Sequence, residues 1–118
     1  MGTTLSYTSS KAAEQASGSS FTAAGAKAFT PPSSHKWFKC AVFNKGTSGA
    51  NLYILWNDDP DSPAVDPTNG NWDVELAPGK MVTSPDGIQV TNVGIYADAA
   101  ATYGDDFVVR GWSDGTNE

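Results

Sequence analysis

Two neighbouring stretches, residues 36–44 and 51–57, concentrate aromatic and branched apolar residues. Both end in asparagine, and the connection between them, residues 45–50, contains two glycines. Aromatic and branched residues favour strands, and glycine supplies the positive φ that a tight loop needs. The pattern therefore predicts a β-hairpin with a six-residue loop.

The second stretch is apolar on both sides. Leu52, Ile54 and Trp56 occupy one side of an extended strand, whereas Tyr53 and Leu55 occupy the other. Such a strand is typical of the interior of a sandwich or barrel, or of a surface that lies under another chain.

Further along the chain, residues 72–76 alternate strictly between apolar and acidic residues. This alternation predicts a half-buried strand with Trp72, Val74 and Leu76 pointing inward. The Ala-Pro-Gly-Lys sequence that follows predicts a turn with Gly79 at its positive-φ position, before a short returning strand.

Residues 88–97 predict a longer strand with an irregularity. Its apolar positions change from even to odd numbers near Asn92, which indicates either a β-bulge or a strand that passes from one sheet to the other. Residues 107–112 predict the last strand. Six or seven strands at this spacing predict an all-β fold, as a single β-sandwich or jelly-roll domain.

The first 34 residues differ from the rest, because serine, threonine, alanine and glycine dominate them. Such a composition buries too little apolar surface to become ordered alone. We therefore predict an extended N-terminal arm at 1–34, a sandwich body at 35–113 and a tail at 114–118. Within the arm, a short helix over residues 10–16 and an added strand over residues 3–8 are both compatible with the pattern.

Charge is distributed unevenly along the chain. Residues 1–50 have a net charge of +4, with Glu14 as their only acid, whereas residues 51–118 have a net charge of −10. An acidic body repels nucleic acid, so we expect no nucleic-acid partner. The mildly basic first half favours an acidic protein surface as a partner.

Candidate catalytic chemistry is sparse. Cys40 is the only cysteine, which excludes an intrachain disulfide and a cysteine-based zinc site within the chain. His35 is the only histidine, and its odd spacing from Cys40 places the two side chains on opposite faces of an extended strand. No metalloprotease or phosphate-binding motif is present. We therefore expect no enzymatic activity and no cofactor.

A long loop over residues 57–71 is rich in proline and aspartate. Its carboxylates are weak candidates for calcium ligands, although the spacing differs from that of an EF-hand, and a solvated loop is the simpler interpretation. The candidate residues are Asp58, Asp59, Asp61 and Asp66. Calcium beside an exposed Trp72 would suggest a carbohydrate-binding module as an alternative function, although tryptophans in strands more often pack in a core.

No apolar run approaches the roughly 20 residues that a membrane-spanning helix requires, and no secretory signal is visible. We therefore expect no membrane partner and synthesis in a cytoplasm.

The body resembles the small β-sandwich proteins that decorate or cement the capsids of tailed bacteriophages. The resemblance rests on the strand at residues 51–57 with its long polar loop, the Leu-Ala-Pro-Gly-Lys sequence at 76–80, and the closing strand at 108–112. It covers residues 37–112 in pattern and includes no diagnostic motif. A serine- and alanine-rich arm is also similar to those by which virion proteins hold their neighbours.

The resemblance implies a structural role in the virion. Such a protein binds at junctions between major capsid proteins, contacts neighbouring copies of itself as a homo-oligomer on the particle, and stabilises the shell; a tail or fibre component is the related alternative. No catalytic residue is implied. The residues that we expect to bind the partner are Leu5, Tyr7, Phe21, Lys27, Phe29, Lys36 and Lys39.

Overall fold

The computed structural model describes residues 13–33 and 36–113 of the chain. These residues form eight strands and two packed sheets. The strands are β1 (Glu14–Gln15), β2 (Gly25–Phe29), β3 (Lys39–Asn44), β4 (Leu52–Trp56), β5 (Val74–Leu76), β6 (Met81–Thr83), β7 (Val93–Ala97) and β8 (Phe107–Trp112).

The order of the strands is that of a jelly roll. Sheet I has the order β1-β8-β3-β6, sheet II has the order β2-β7-β4-β5, and every neighbouring pair is antiparallel. Successive strands alternate between the sheets except at β4 and β5, which pair with each other. Two interlocked Greek keys of this kind define the jelly roll. The predicted all-β sandwich is confirmed.

The predicted hairpin between β3 and β4 is wrong, because the two strands belong to different sheets. Residues 45–50 carry the chain across the sandwich instead. The buried Asn44 fixes this crossing, since its side-chain amide donates to the carbonyl oxygens of Ala50 and Leu76 at 2.9 and 3.0 Å. Tertiary contacts of this kind cannot be read from local turn residues.

The alternation over residues 72–76 is confirmed only in part. Val74 and Leu76 pair with β4 and point towards the core, and Glu75 points outward. Trp72, predicted to point inward, lies against the ring of Tyr53 on the outer side, with ring centroids 5.7 Å apart. The predicted turn is confirmed, because Gly79 has a φ of 84° and the N–H of the next residue donates to the carbonyl of Ala77.

The irregularity near Asn92 is a passage between sheets. Val90 pairs with Trp37, just ahead of β3 in sheet I, whereas β7 pairs with β2 and β4 in sheet II. Asn92 is buried at the point of transfer. Of the two alternatives left open by the sequence, the structure therefore has the strand that changes sheets.

Residues 13–33 differ from the predicted arm, because they are part of both sheets. β1 pairs with β8 in sheet I, and β2 pairs along its whole length with β7 in sheet II. The expected boundary between residues 34 and 35 thus separates strands that complete the same sandwich. Glu14–Gln15 is a strand where the short helix was considered. Residues 1–12 and the tail at 114–118 lie outside the described residues.

The apolar residues of this segment are few but lie between the sheets. Phe21 and Phe29 are 2% and 0% exposed, and both rings contact Phe107 with centroids 5.6 Å away. Packing in the core stabilises this polar segment, because burial of each aromatic ring removes a large apolar area from water.

Trp37 ties the first strand to the rest of sheet I. Its buried indole occupies the space above Gly111 where a Cβ atom would otherwise lie, which explains the glycine at an inward position of β8. The indole Nε1–H donates to the carboxylate of Glu14 at 2.8 Å. The single acid of the first fifty residues is therefore a partner of the core.

Candidate interaction surfaces

The outer surface of sheet I, here called the sheet I face, carries an apolar row with two exposed members and the half-buried Val108. Val108, Phe43 and Met81 stand side by side on β8, β3 and β6 because the register pairs Phe43 with both of the others. Phe43 is 37% exposed and Met81 is 63% exposed. Contiguous exposed apolar side chains are typical of surfaces that contact a partner.

The same face is positively charged. Lys39 on β3 and Arg110 on β8 both point outward and are exposed. In the part of the chain that the structure describes, no acidic residue takes an outward position on the four strands of this sheet. The sheet I face thus combines apolar and cationic groups.

A groove lies at one end of this face, and we call it the Phe38 groove. Phe38 is 51% exposed, and its backbone N–H donates to the carbonyl of Trp112 at 2.9 Å, which anchors it beside the sheet. The residues that line the groove are Phe38, Lys39, Asp86, Gly87, Ile88 and Gln89. Lys36 is half-buried two residues ahead of Phe38.

The outer surface of sheet II, here called the sheet II face, has a different chemistry. Tyr53 on β4 lies opposite Tyr96 on β7, with ring centroids 6.3 Å apart, and contacts Trp72 on its other side. The rings meet edge-on, at interplanar angles of 65° and 67°. This aromatic row crosses the face from β7 to the residues before β5.

Carboxylates flank the aromatic row. The Tyr53 hydroxyl donates to Glu75 at 3.4 Å, and the backbone and side-chain N–H groups of Asn51 donate to Asp98 at 2.9 and 3.1 Å. Desolvation raises the pKa of Tyr53, and the negative charges of Glu75 and Asp98 raise it further. The sheet II face is therefore aromatic and acidic.

The other end of the sheet II face is covered by the acidic loop. Asp58 is 6% exposed, and its carboxylate accepts the backbone N–H groups of Asp59, Ala64 and Val65 at 2.7 to 3.0 Å. The carboxylate lies over Gly94 of β7, at the place where a Cβ atom of residue 94 would be. Asp58 thus closes the loop and seats it on the sheet.

Asp59 and Asp66 accept hydrogen bonds from nearby residues of the loop itself. Asp59 accepts the N–H groups of Asp61 and Ser62, and Asp66 accepts both the N–H and the hydroxyl of Thr68. Among the described residues, no group of three or more His, Cys, Asp or Glu side chains is placed to hold a metal ion. The four candidate calcium ligands are therefore not brought together.

The structure places the predicted partner-binding residues in different environments. Leu5 and Tyr7 lie outside the described residues, and so does His35. Phe21 and Phe29 belong to the core, which is a correction, because buried rings between the sheets cannot anchor a partner. The predicted lysines remain accessible to different degrees: Lys27 on the edge strand β2 and Lys36 are half-buried, and Lys39 is exposed.

The predicted partner-binding residues did not include the outward-facing aromatic and apolar side chains of the two faces. The residues concerned are Phe38, Phe43, Met81, Tyr53 and Tyr96. A signal for one of them was available, because Phe43 follows Lys39 at an even spacing and so shares its outward side.

The only thiol is not a nucleophile. Cys40 is 0% exposed, and burial raises its pKa from 9.0 to about 12. Its sulfur is a small apolar group of the core, as expected from the sequence.

In the described part of the chain, no helix is long and apolar enough to cross a membrane. No protein-family model, no curated protein and no solved structure matches this chain.

Proposed function

We propose that this chain is a virion structural protein without enzymatic activity, which decorates a capsid, binds at junctions between major capsid proteins and stabilises the shell. It is made in the host cytoplasm and becomes part of the particle.

The observation that carries the proposal is the Phe38 groove. A Phe side chain that is 51% exposed stands beside the exposed Lys39 at one end of a rigid sandwich, and Lys36 is close by in the chain. An exposed aromatic side chain with cationic neighbours suits docking to an acidic protein surface, because the ring supplies buried area and the lysines supply charge complementarity.

The fold supports this role. Jelly rolls are recurrent in viral capsid proteins and in lectins, so the architecture is compatible with the proposal, while the argument rests on the surface. Attachment through the groove leaves most of the sheet I face available for other contacts, and repeated copies on a symmetric shell let modest contacts add up to firm attachment.

The test uses a tagged full-length chain, purified from the cells that produce it and separated by sedimentation. We expect the wild-type chain to co-sediment with particles whose main component is a major capsid protein. Phe38→Ser and Lys39→Glu should reduce the retained fraction at least tenfold, whereas the matched control Lys80→Glu, at another exposed lysine, should retain it.

Two results would contradict the proposal. One is recovery of the wild-type chain only as free protein, with no particle fraction. The other is equal retention of the wild type and Phe38→Ser, which would remove the groove from the attachment surface.

A carbohydrate-binding module is the second candidate, and the aromatic row of Tyr53, Tyr96 and Trp72 with flanking carboxylates is the observation that favours it. A sugar that binds the folded chain should raise its melting temperature. The measurement is a thermal melt with and without neutral and acidic oligosaccharides at millimolar concentration; the absence of any shift would eliminate this candidate.

A further inference from the structure

The two outer faces of the sandwich are chemically complementary. We propose that the sheet I face of one copy packs against the sheet II face of a second copy, so that neighbouring copies associate head to tail. This inference rests on the proposed function for its place on the particle, but the contact itself involves only copies of this chain.

Charge complementarity is the first argument. Arg110 points outward from the middle of the sheet I face. On the sheet II face, Glu75 and Asp98 are exposed on either side of Tyr53. Opposite charges across a contact favour association and set its orientation, even when the chain as a whole is negative.

Apolar complementarity is the second argument. Phe43 and Met81 on the sheet I face would lose their exposed area against the rings of Tyr53 and Tyr96. The guanidinium of Arg110 can in addition stack on a tyrosine ring, which arginine does readily.

The same charges argue against a symmetric pair. If two sheet I faces met, Arg110 would approach its own copy, and if two sheet II faces met, Glu75 and Asp98 would approach like charges. Like charges opposed across an interface are unfavourable. A head-to-tail contact avoids both, and such contacts close into rings when the rotation between copies permits. A ring suits a symmetric junction on a shell.

The area of the two faces determines how strongly we expect the copies to associate. The strands of sheet I are two to six residues long. At about 3.3 Å per residue and about 4.8 Å between strands they present roughly 270 Å² per copy, which is about a third of the ~800 Å² of a standard stable interface. We therefore expect weak association of the free chain, in the upper micromolar to millimolar range, and stronger association where a common surface gathers the copies.

The experiment is sedimentation equilibrium of the isolated full-length chain from micromolar to about 1 mM. The mass of the wild type should rise with concentration at low salt, and this rise should shrink several-fold at high salt because the charges are exposed. Arg110→Glu alone and Glu75→Lys alone should each stay monomeric, because each substitution brings like charges together where Arg110 would otherwise face Glu75.

The decisive sample is an equimolar mixture of these two variants, which should associate again. The unchanged sheet I face of Glu75→Lys then meets the unchanged sheet II face of Arg110→Glu, and the two substituted faces carry opposite charges at the same positions. A monomeric wild type over the whole range, a Glu75→Lys variant that associates like the wild type, or a monomeric mixture would each overturn the inference. Circular dichroism of each variant confirms folding. If the copies do not associate, the proposed attachment through the Phe38 groove still stands, because the co-sedimentation experiment measures binding to particles and not association between copies.

Discussion

The outer faces of the two sheets have the same number of strands but differ in what lies on them. Part of the sheet II face is covered by the chain itself, because Asp58 seats the acidic loop over Gly94. On the sheet I face, by contrast, Phe43 and Met81 are exposed. Substitutions beneath the acidic loop should therefore reduce folding stability, whereas substitutions at the exposed positions of the sheet I face should leave it nearly unchanged.

The largest effect is expected where the loop meets sheet II. Gly94→Ala would place a methyl group in the space of the Asp58 side chain, including its Cβ atom, and so displace the loop. We expect a loss of about 4 kcal/mol in the free energy of unfolding, from overpacking and lost hydrogen bonds together. Urea denaturation measures it. The matched control is Gly25→Ala in β2, where the added Cβ meets no atom within 4 Å; equal losses in both variants would contradict the assigned contact.

The next effect comes from the loop carboxylate itself. Asp58→Ala leaves the N–H groups of Asp59, Ala64 and Val65 without their acceptor, which should cost about 3 kcal/mol. Urea denaturation and amide exchange of Ala64 and Val65 report this loss. Asp61→Ala, at an exposed acid of the same loop, should change stability by less than about 0.5 kcal/mol. A neutral Asp58→Ala would show that the loop is held by other contacts.

A direct comparison of the two faces uses one outward-facing residue from each. Tyr53→Ser removes ring contacts with Trp72 and Tyr96 and should destabilise the fold by about 1.5 kcal/mol. Met81→Ser should leave stability within about 0.5 kcal/mol, because its side chain is 63% exposed. Thermal and urea unfolding measure both variants. A larger loss for Met81→Ser than for Tyr53→Ser would reverse the comparison.

The smallest effect is a local acid transition in the loop. Hydrogen bonds from the hydroxyl and N–H of Thr68 lower the pKa of Asp66 below its ordinary 3.8. The charged form is therefore favoured by folding: its contribution is present above pH 3.8 and is lost as the pH falls through the lowered pKa. The Thr68 amide resonance should follow this titration in the wild type. It should show no such step in Asp66→Asn, and a midpoint above 3.8 in the wild type would contradict the assignment.

Local patterns predicted the positions of the strands better than they predicted which strands pair with each other. The closing strand has the predicted bounds, and the change of apolar positions at Asn92 correctly indicated one of two irregularities. The hairpin after Asn44 was wrong because two strands that are neighbours in sequence can join either the same sheet or opposite sheets. The long-range strand pairings distinguish the two, and the buried amide of Asn44, which donates to Ala50 and Leu76, holds the crossing in place.

The candidate surfaces were predictable only in part. Lys39 was identified from charge and is exposed, but Phe21 and Phe29 were assigned to a partner and lie in the core. A polar segment with isolated rings has the same composition whether its rings insert into its own sandwich or into another molecule. Composition shows how much apolar surface a segment has. It does not show whether that surface is buried in the segment's own fold or against another molecule.

By itself, the sequence determined the class of fold, since period-two alternation and frequent turn residues are properties of neighbours along the chain. It also determined the charge asymmetry and the inert character of a single cysteine among apolar residues. Only the tertiary structure decided which strands share a sheet, that residues 13–33 complete the sandwich, and that one outer face is apolar and cationic while the other is aromatic and acidic. Those properties depend on pairing between residues far apart in the chain, and packing selects among pairings that local preferences leave equal.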